Sequence, residues 1–405
     1  MTQPYYIGGT QNFPTGDSPS VRKSKSPFLG CFGLVGAIII IVIIAVAGYF
    51  FVYPALTPNK MRGNFLDMAI VPTKDGKQNL WILNDGSFRF IQTTKSPGSY
   101  SSGVKCMWCK TWTYIYDPSN EKVLKKIKTD YNDIITKIDM LYKNGKVWVF
   151  TREYGQNEPM LNVYDAESTE LVMTTKDFIS KHPELSSGLT GLHYNDKEET
   201  VNFQTKDGNQ GIVYDIAEDK LFPDAAAYNS AKHNVSDEPI TMVILAPEKS
   251  SGPRKILYRI KGPKSKIMSN MSSLESYANN SNTMQFFVGA TSEPISSKVY
   301  LEGIAYYKDE DCTLIISLDQ LGKKSNRILT CIDAKTGNEK WLVQQDDLFS
   351  KMKINEDKDS FSSLFFTKDN IKVKRSGNLV VLELAGEGVM GFDYGSGKKL
   401  WTLNL

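Results

Sequence analysis

The chain has 405 residues, of which 41% are hydrophobic and 23% are charged. This composition excludes a wholly disordered chain, a collagen-like fibre and a protein that crosses the membrane many times. The formal net charge is only +3, and the N-terminal residues supply most of it, which argues against a general nucleic-acid-binding protein. Three histidines also leave little material for a histidine-rich metal site.

The N-terminal region combines a polar tail with a long apolar run. Residues 1–28 are rich in Pro, Gly, Ser and Thr, so they predict a flexible tail. No charged residue lies between Lys25 and Lys60, and the middle of this gap is almost wholly apolar. Since about 20 apolar residues in a helix cross a bilayer, residues 29–54 predict a transmembrane helix. The alternative is a cleaved signal peptide, although the run is long for one and lacks a clear cleavage site.

The charges around this run predict its orientation. Three basic residues precede it (Arg22, Lys23 and Lys25) and two follow it (Lys60 and Arg62). By the positive-inside rule, this small excess favours a cytoplasmic N-terminus. The sequence therefore predicts a single-pass membrane protein whose C-terminal domain is periplasmic, extracellular or luminal.

Residues 60–405 predict an all-β domain. Short apolar or alternating runs are separated by turn residues, and amphipathic helices of 12 or more residues are scarce. A recurring unit consists of an apolar strand, an Asp, a polar turn and a second apolar or aromatic strand. Its aspartates are Asp117, Asp165, Asp215, Asp333 and Asp393. Their spacings are 48, 50, 118 and 60 residues, and 118 fits two units of about 59. Such a period is typical of propeller blades, with a degenerate unit expected near 254–275. The alternative is a β-rich chain whose hairpins contain Asp and Gly by chance.

Each unit is predicted to be a hairpin. The Asp side chain can accept hydrogen bonds from turn amides, and Gly337 and Gly397 can supply a positive φ. Trp341 and Trp401 are expected to fill the space between neighbouring sheets.

The last two units carry a family resemblance. IDAKTGNEKW and FDYGSGKKLW contain Asp333, Gly337 and Trp341, and Asp393, Gly397 and Trp401, at identical spacing. They resemble the pyrroloquinoline-quinone-like propeller repeat, whereas the three earlier units keep the Asp but lose the Gly and Trp. The resemblance implies a β-propeller of six to eight blades, of which six can be counted here. It does not imply a bound quinone, because quinone dehydrogenases of this type carry adjacent cysteines and a calcium-binding set.

Four cysteines of the domain form two candidate pairs. Cys106 and Cys109 are separated by two residues in CMWC, and Cys312 and Cys331 lie on neighbouring predicted strands. In an oxidising compartment both pairs could be structural disulfides. Free buried thiols are the second interpretation, and a metal or redox role is the third.

No catalytic motif is visible, so we expect no cofactor, no bound metal and no assigned catalytic residue. The basic strand with Lys372, Lys374 and Arg375 predicts either a solvated face or a contact with anionic lipid head groups. The sequence therefore favours a membrane-anchored β-propeller that serves as a protein-binding or scaffolding module for a protein or peptide. The alternative is a propeller hydrolase or lyase, for which clustered polar residues in the central channel would be evidence. A sensor that signals through the span is a third interpretation.

Overall fold

A computed structural model describes residues 38–45 and 60–404, apart from 97–98, 155–157, 196–197, 209, 234–237, 250–251, 271–273, 276, 296, 323–324, 353–370 and 385–386. The chain divides into two units, Met1–Lys60 and Met61–Leu405. In the first unit, residues 38–45 form a short helix, α1, with exposed side chains. The rest of the predicted span 29–54, and the whole predicted tail 1–28, lie outside the described residues. Among the described residues, no helix combines the length and apolar character needed to span a membrane.

The second unit is mostly β, as the sequence predicts, and its strands are antiparallel. We divide them into six groups in chain order. The strands of groups 1 to 3 are listed here. Group 1 contains β1 (Asn64–Pro72), β2 (Gln78–Asp85), β3 (Phe88–Ser96), β4 (Ser99–Asp117) and β5 (Lys122–Tyr131); group 2 contains β6 (Ile135–Lys143), β7 (Lys146–Glu153), β8 (Pro159–Asp165) and β9 (Leu171–Thr174); group 3 contains β10 (Leu189–Asn195), β11 (Thr200–Thr205), β12 (Gln210–Asp215) and β13 (Lys220–Phe222).

Groups 4 to 6 complete the unit, and their strands are listed in the same way. Group 4 contains β14 (Pro239–Pro247), β15 (Arg254–Pro263) and β16 (Thr291–Pro294); group 5 contains β17 (Tyr300–Lys308), β18 (Cys312–Leu318), β19 (Arg327–Asp333) and β20 (Glu339–Val343); group 6 contains β21 (Ile371–Ser376), β22 (Leu379–Leu384), β23 (Gly388–Asp393) and β24 (Lys399–Asn404). Groups 4 and 5 share one hydrogen-bonded sheet, but only two residue pairs of β15 and β17 connect them.

Groups 2, 3, 5 and 6 are four-stranded meanders in which each strand pairs with the next. Group 1 has the same path through β1, β2, β4 and β5. It also has an insertion, because the first half of the long strand β4 pairs only with β3. The degenerate unit expected near 254–275 is a different structure. Its first ten residues are β15, and the chain then continues into helix α4.

The second strands of the groups are the most deeply buried. Every residue of β18 and of β22 is buried, which matches their mostly apolar sequences, although β22 also contains the buried Glu383. Such runs indicate strands that are covered on both faces. By contrast, β20 and β24 alternate or expose their side chains, as expected for strands at the margin of a sheet. The groups therefore pack face to face through their inner strands.

Five hydrophobic clusters each join two groups: 1 with 2, 2 with 3, 4 with 5, 5 with 6, and 6 with 1. In the cluster between groups 1 and 2, the ring centroids of Trp81 and Tyr164 are 5.9 Å apart. In the cluster between groups 2 and 3, those of Trp148 and Tyr214 are also 5.9 Å apart. The cluster that joins groups 6 and 1 packs Val381 with Ile82. The last group of the chain thus returns to the first.

Each group has two distinct ends. The turn between its first and second strands lies at one end, which we call the turn edge, as does the turn between the third and fourth strands in every group except the three-stranded group 4. The first strand begins at the opposite end, which we call the entry edge. The connection from the second to the third strand also lies there, and so does the end of the fourth strand where one is present. Side-chain hydrogen bonds join the turn edges of groups 1 and 2, 2 and 3, 5 and 6, and 6 and 1; the pairs are Lys74–Glu167, Asn144–Ala217, Asp309–Arg375 and Ser376–Gln78.

The described helices of this unit all lie in connections that begin at an entry edge, and the helix after group 3 reaches the turn edge of that group, where Lys232 pairs with Asp215 and Glu218. Helices α2 and α3 follow the fourth strands of groups 2 and 3, and α4 and α5 lie between the second and third strands of group 4. Their bounds are α2 (Thr175–Lys181), α3 (Ala225–His233), α4 (Lys264–Ser269) and α5 (Ser281–Val288). Thr174 caps α2, and Asp177 completes its capping box. The turn edge, by comparison, carries short connections.

Candidate functional site

The five repeat aspartates form turns on the turn edge. In each, the side chain accepts hydrogen bonds from the backbone N–H groups two and three residues further on. The residue four positions on has a positive φ in every case; these residues are Glu121, Thr169, Asp219, Gly337 and Gly397. The turn geometry is therefore the same in units with and without the glycine, and it accounts for each Asp without a ligand.

One glycine and one tryptophan of the last two units, Gly397 and Trp341, contact each other across groups 5 and 6, whereas Gly337 faces Ile295. A Cβ atom on Gly397 would lie 2.6 Å from Cδ2 of Trp341, so only glycine allows this close approach. The Trp341 indole N–H donates a hydrogen bond to the carbonyl of Tyr394 at 2.6 Å. Trp401 lies against Gly391 of its own group and joins the cluster with group 1. These residues hold sheets together.

The cysteines differ between the two candidate pairs. Cys106 and Cys109 are joined by a disulfide within β4, with their Cα atoms 5.6 Å apart. The expected bridge between Cys312 and Cys331 is absent, because both are free, buried thiols. Cys312 lies opposite Asp333 and Cys331 opposite Leu314, so the two are diagonal neighbours, a relation that places Cα atoms about 7–8 Å apart. A hydrogen bond to Cys331 and burial raise the pKa of Cys312.

Large apolar side chains are exposed in the entry-edge connections between second and third strands. Tyr154 is 66% exposed in group 2, Phe286 is 82% exposed in group 4, and Leu321 is 53% exposed in group 5. In the described part of the second unit, exposed large apolar residues outside these connections lie on fourth strands, for example Leu171 and Leu400. Apolar residues in several adjoining loops are typical of a protein-binding surface.

The β3–β4 hairpin is the corresponding connection of group 1, and it exposes the largest number of apolar residues. These are Phe88, Phe90, Ile91, Val104, Met107 and Trp108. The hairpin begins at the Asp85-Gly86 turn, where Ser87 donates its backbone N–H to the Asp85 carboxylate at 2.9 Å. The rings of Phe88 and Trp108 lie 6.0 Å apart.

A buried charged cluster lies where groups 1, 2 and 6 meet. Asp67 of β1 is 4% exposed and accepts a hydrogen bond from the backbone N–H of Met140 at 2.7 Å. It also pairs with Lys374 at 2.9 Å and Lys372 at 3.4 Å, both on β21. Although burial opposes ionisation, the two lysines hold the pKa of Asp67 below its ordinary value. We call Asp67, Lys372, Lys374 and Glu383 the charged junction.

Glu383 is the least satisfied member of the charged junction. Its side chain is 6% exposed, Lys372 lies 4.0 Å from Oε1, and Oε2 has no hydrogen-bond partner. Burial raises the pKa of Glu383 to about 7 in spite of the neighbouring lysines. The basic strand at Lys372, Lys374 and Arg375 is therefore not simply a solvated or lipid-facing strand, because its cations pair with carboxylates of other groups.

We expect Glu383 to make stability depend on pH. Its folded-state pKa of about 7 lies above the ordinary value of 4.5, so the folded state binds the proton more tightly. Its contribution to stability is present below about pH 4.5 and is lost as pH rises to about 7, a change of about 3 kcal/mol. Glu383→Gln should remove this component. Urea unfolding of a fragment spanning 60–405 at about pH 5 and about pH 8 measures the difference, and the exposed Glu167→Gln serves as the control.

A pH dependence in Glu383→Gln equal to that of the wild type would contradict the assignment.

Among the described residues, no group of three or more His, Cys, Asp or Glu side chains is arranged to hold a metal ion.

The chain matches no family model and no curated protein sequence. Solved structures align along most of the chain at low similarity. They include AztD of Citrobacter koseri (10% identity, 85% of this chain and 86% of that chain, TM-score 0.22), the outer coat vertex of COPII on membranes (10%, 84% and 76%, 0.27) and dihydro-heme d1 dehydrogenase NirN (8%, 85% and 67%, 0.24). TM-scores at this level do not establish a shared fold, and we draw no argument from them.

Proposed function

We propose that residues 60–405 form a six-bladed β-propeller in which each strand group is one blade. The face-to-face clusters support this architecture, because among the described residues they join every consecutive pair of groups except 3 and 4, and they also join group 6 to group 1. The hydrogen bonds between neighbouring turn edges support a common orientation of groups 1, 2, 3, 5 and 6. Group 4 differs, because Lys308 at the turn edge of group 5 pairs with Glu275 in the entry-edge connection of group 4. The shared Asp-turn geometry supports membership of the pyrroloquinoline-quinone-like repeat class, of the scaffold type.

In function, we propose a membrane-anchored module that captures a protein or peptide through its entry edge. One observation carries this proposal: exposed large apolar side chains occur in the second-to-third-strand connections of groups 2 and 5, at Tyr154 and Leu321. In a propeller, such connections lie on one face of all blades that share an orientation. Aromatic and leucine side chains on one face supply the contacts on which protein interfaces depend.

The anchor is the apolar run within residues 29–54, which is long enough to cross a bilayer as a helix. The basic residues before it favour a cytoplasmic N-terminus, so the propeller would lie outside the cytoplasm. Protease added to intact cells or spheroplasts should then digest the C-terminal domain and spare the tail. Protection of the C-terminal domain would reverse this topology.

A photo-crosslinking experiment tests capture at the entry edge. A photoreactive residue is placed at Leu321, on the entry edge, and as a matched control at the exposed Lys398, on the turn edge. In native membranes we expect a discrete protein adduct from position 321 and none from position 398. Adducts at both positions with equal yield, or at the turn edge alone, would contradict the proposal.

A hydrolase or lyase is the second candidate, favoured by the buried Glu383 and its unpartnered oxygen. A substrate would have to reach this group, yet Asp67 is 4% and Glu383 is 5% exposed. Lys372 and Lys374 also pair with Asp67, so the charges of these lysines are balanced within the charged junction itself. We therefore assign the charged junction to holding groups 1, 2 and 6 together. Turnover of a small molecule, lost in Glu383→Gln, would favour the enzyme instead.

A further inference from the structure

We propose that the β3–β4 hairpin rests on an anionic lipid surface, a second membrane contact that builds on the proposed anchor. Its strands differ from the others of the unit, because β3 and the first half of β4 pair with each other and extend beyond β2. A two-stranded ribbon is only marginally stable in water by itself. A ribbon with exposed apolar residues is therefore a surface that gains from being covered.

The hairpin exposes apolar residues on both of its faces. Phe88 and Phe90 lie on one face, where Phe88 is opposite Trp108. Ile91 lies on the other face, opposite Val104, and these two residues are 74% and 55% exposed. A groove on a protein covers one face of a ribbon, whereas the interfacial layer of a bilayer can surround both. This distribution therefore favours lipid over a protein groove.

The charge of the hairpin specifies the type of lipid. From Gly86 to Trp112 the chain contains Arg89, Lys95, Lys105 and Lys110 and no Asp or Glu. Arg89 pairs with Asp85 at the base of the hairpin, so residues 85–112 together keep a net charge of +3, from four basic residues and one Asp. Basic residues near anionic phosphates are attracted by about 1 kcal/mol each, and tryptophan favours the interface. The same charges would repel the hairpin of a second copy of the chain.

The hairpin also begins beside the point where the chain enters the domain. Asn64, the first residue of β1, pairs with Asp85, and the hairpin starts at the next residue, Gly86. Eight peptide units separate Met61 from Tyr53, the end of the apolar run, so their separation cannot exceed about 28 Å. The nine residues of β3 give the ribbon a length of about 30 Å. The ribbon is thus about as long as the greatest extent of the chain between the apolar run and the domain.

Bromolipid quenching of tryptophan fluorescence tests this contact. The full chain is reconstituted into vesicles of bromine-labelled phosphatidylcholine, either alone or with roughly 30% phosphatidylglycerol. We expect stronger quenching in the anionic vesicles and loss of most of this difference in Trp108→Phe. Trp401→Phe, the same substitution in group 6, should keep it. Trp108 is 55% exposed, so its replacement should leave the fold intact.

Equal quenching of the wild type and Trp108→Phe would overturn the proposal, and so would equal quenching in the two kinds of vesicle. Carbonate extraction of the same vesicles tests the anchor separately. A chain that carbonate removes, but whose Trp108 is quenched, would refute the anchor and support the hairpin contact. A chain that resists carbonate without quenching of Trp108 would keep the anchor and refute the hairpin contact.

Discussion

Replacing Asp67 with alanine should lower the free energy of unfolding by about 2–4 kcal/mol. The change removes the acceptor for the buried N–H of Met140 and the carboxylate that pairs with Lys374 and Lys372. Because these partners belong to groups 2 and 6, the loss falls on the contacts between sheets. Urea unfolding of the 60–405 fragment at neutral pH measures it.

Two controls separate the contributions to this effect. Asp67→Asn keeps a hydrogen-bond acceptor for Met140 but removes the charge, so we expect an intermediate loss. Asp130→Ala removes an exposed carboxylate that pairs with Lys128, and it should cost less than about 0.5 kcal/mol. An Asp67→Ala protein as stable as Asp130→Ala would contradict the ion pairs of the charged junction.

Gly397→Ala should destabilise the domain by about 2–4 kcal/mol, compared with about 1 kcal/mol for Gly145→Ala. The two glycines share a positive φ, 71° and 73°, so the backbone cost is the same. A Cβ atom at position 397 would meet Trp341, however, whereas one at position 145 has no atom within 4 Å. The difference between the two variants therefore isolates the packing of groups 5 and 6.

Unfolding curves of the two variants give this difference, with Trp341 fluorescence as a local readout. If both variants lose the same stability, then Trp341 does not pack on Gly397. The contact between the last two repeat units would then have to be assigned differently.

Local signals in the sequence predict much of this architecture. The Asp turns predict five hairpins, because the side chain and the residue four positions later define each turn within a few residues. The prediction of a repeat unit near 254–275 is wrong because this segment lacks that signal: no Asp turn follows β15, and the chain forms α4 instead. The hairpin at 88–108 is missed because 79–90 resembles one continuous strand, although Asp85-Gly86 is a recognisable turn signal.

The candidate site depends on contacts that local patterns do not encode. Asp67 and Lys374 are more than 300 positions apart in the chain, so one sequence cannot indicate that they pair. In the sequence, the lysines on β21 resemble those of a solvent-exposed strand face. The alternation of polar and apolar residues along a strand predicts which side chains are exposed, but it does not predict which residue of a neighbouring sheet they contact. The entry edge follows only from strand order, since it collects loops that are far apart in sequence.

Partner affinity tests the central proposal most directly. Once crosslinking identifies a partner, its dissociation constant is measured for the wild type, for Tyr154→Ser with Leu321→Ser on the entry edge, and for Lys335→Ser with Lys398→Ser on the turn edge. We expect the entry-edge variant to bind at least about tenfold more weakly, with a nearly unchanged melting temperature, and the turn-edge variant to bind like the wild type. Unchanged affinity in the entry-edge variant, or an equal loss in both variants, would contradict a partner-binding function for the entry edge.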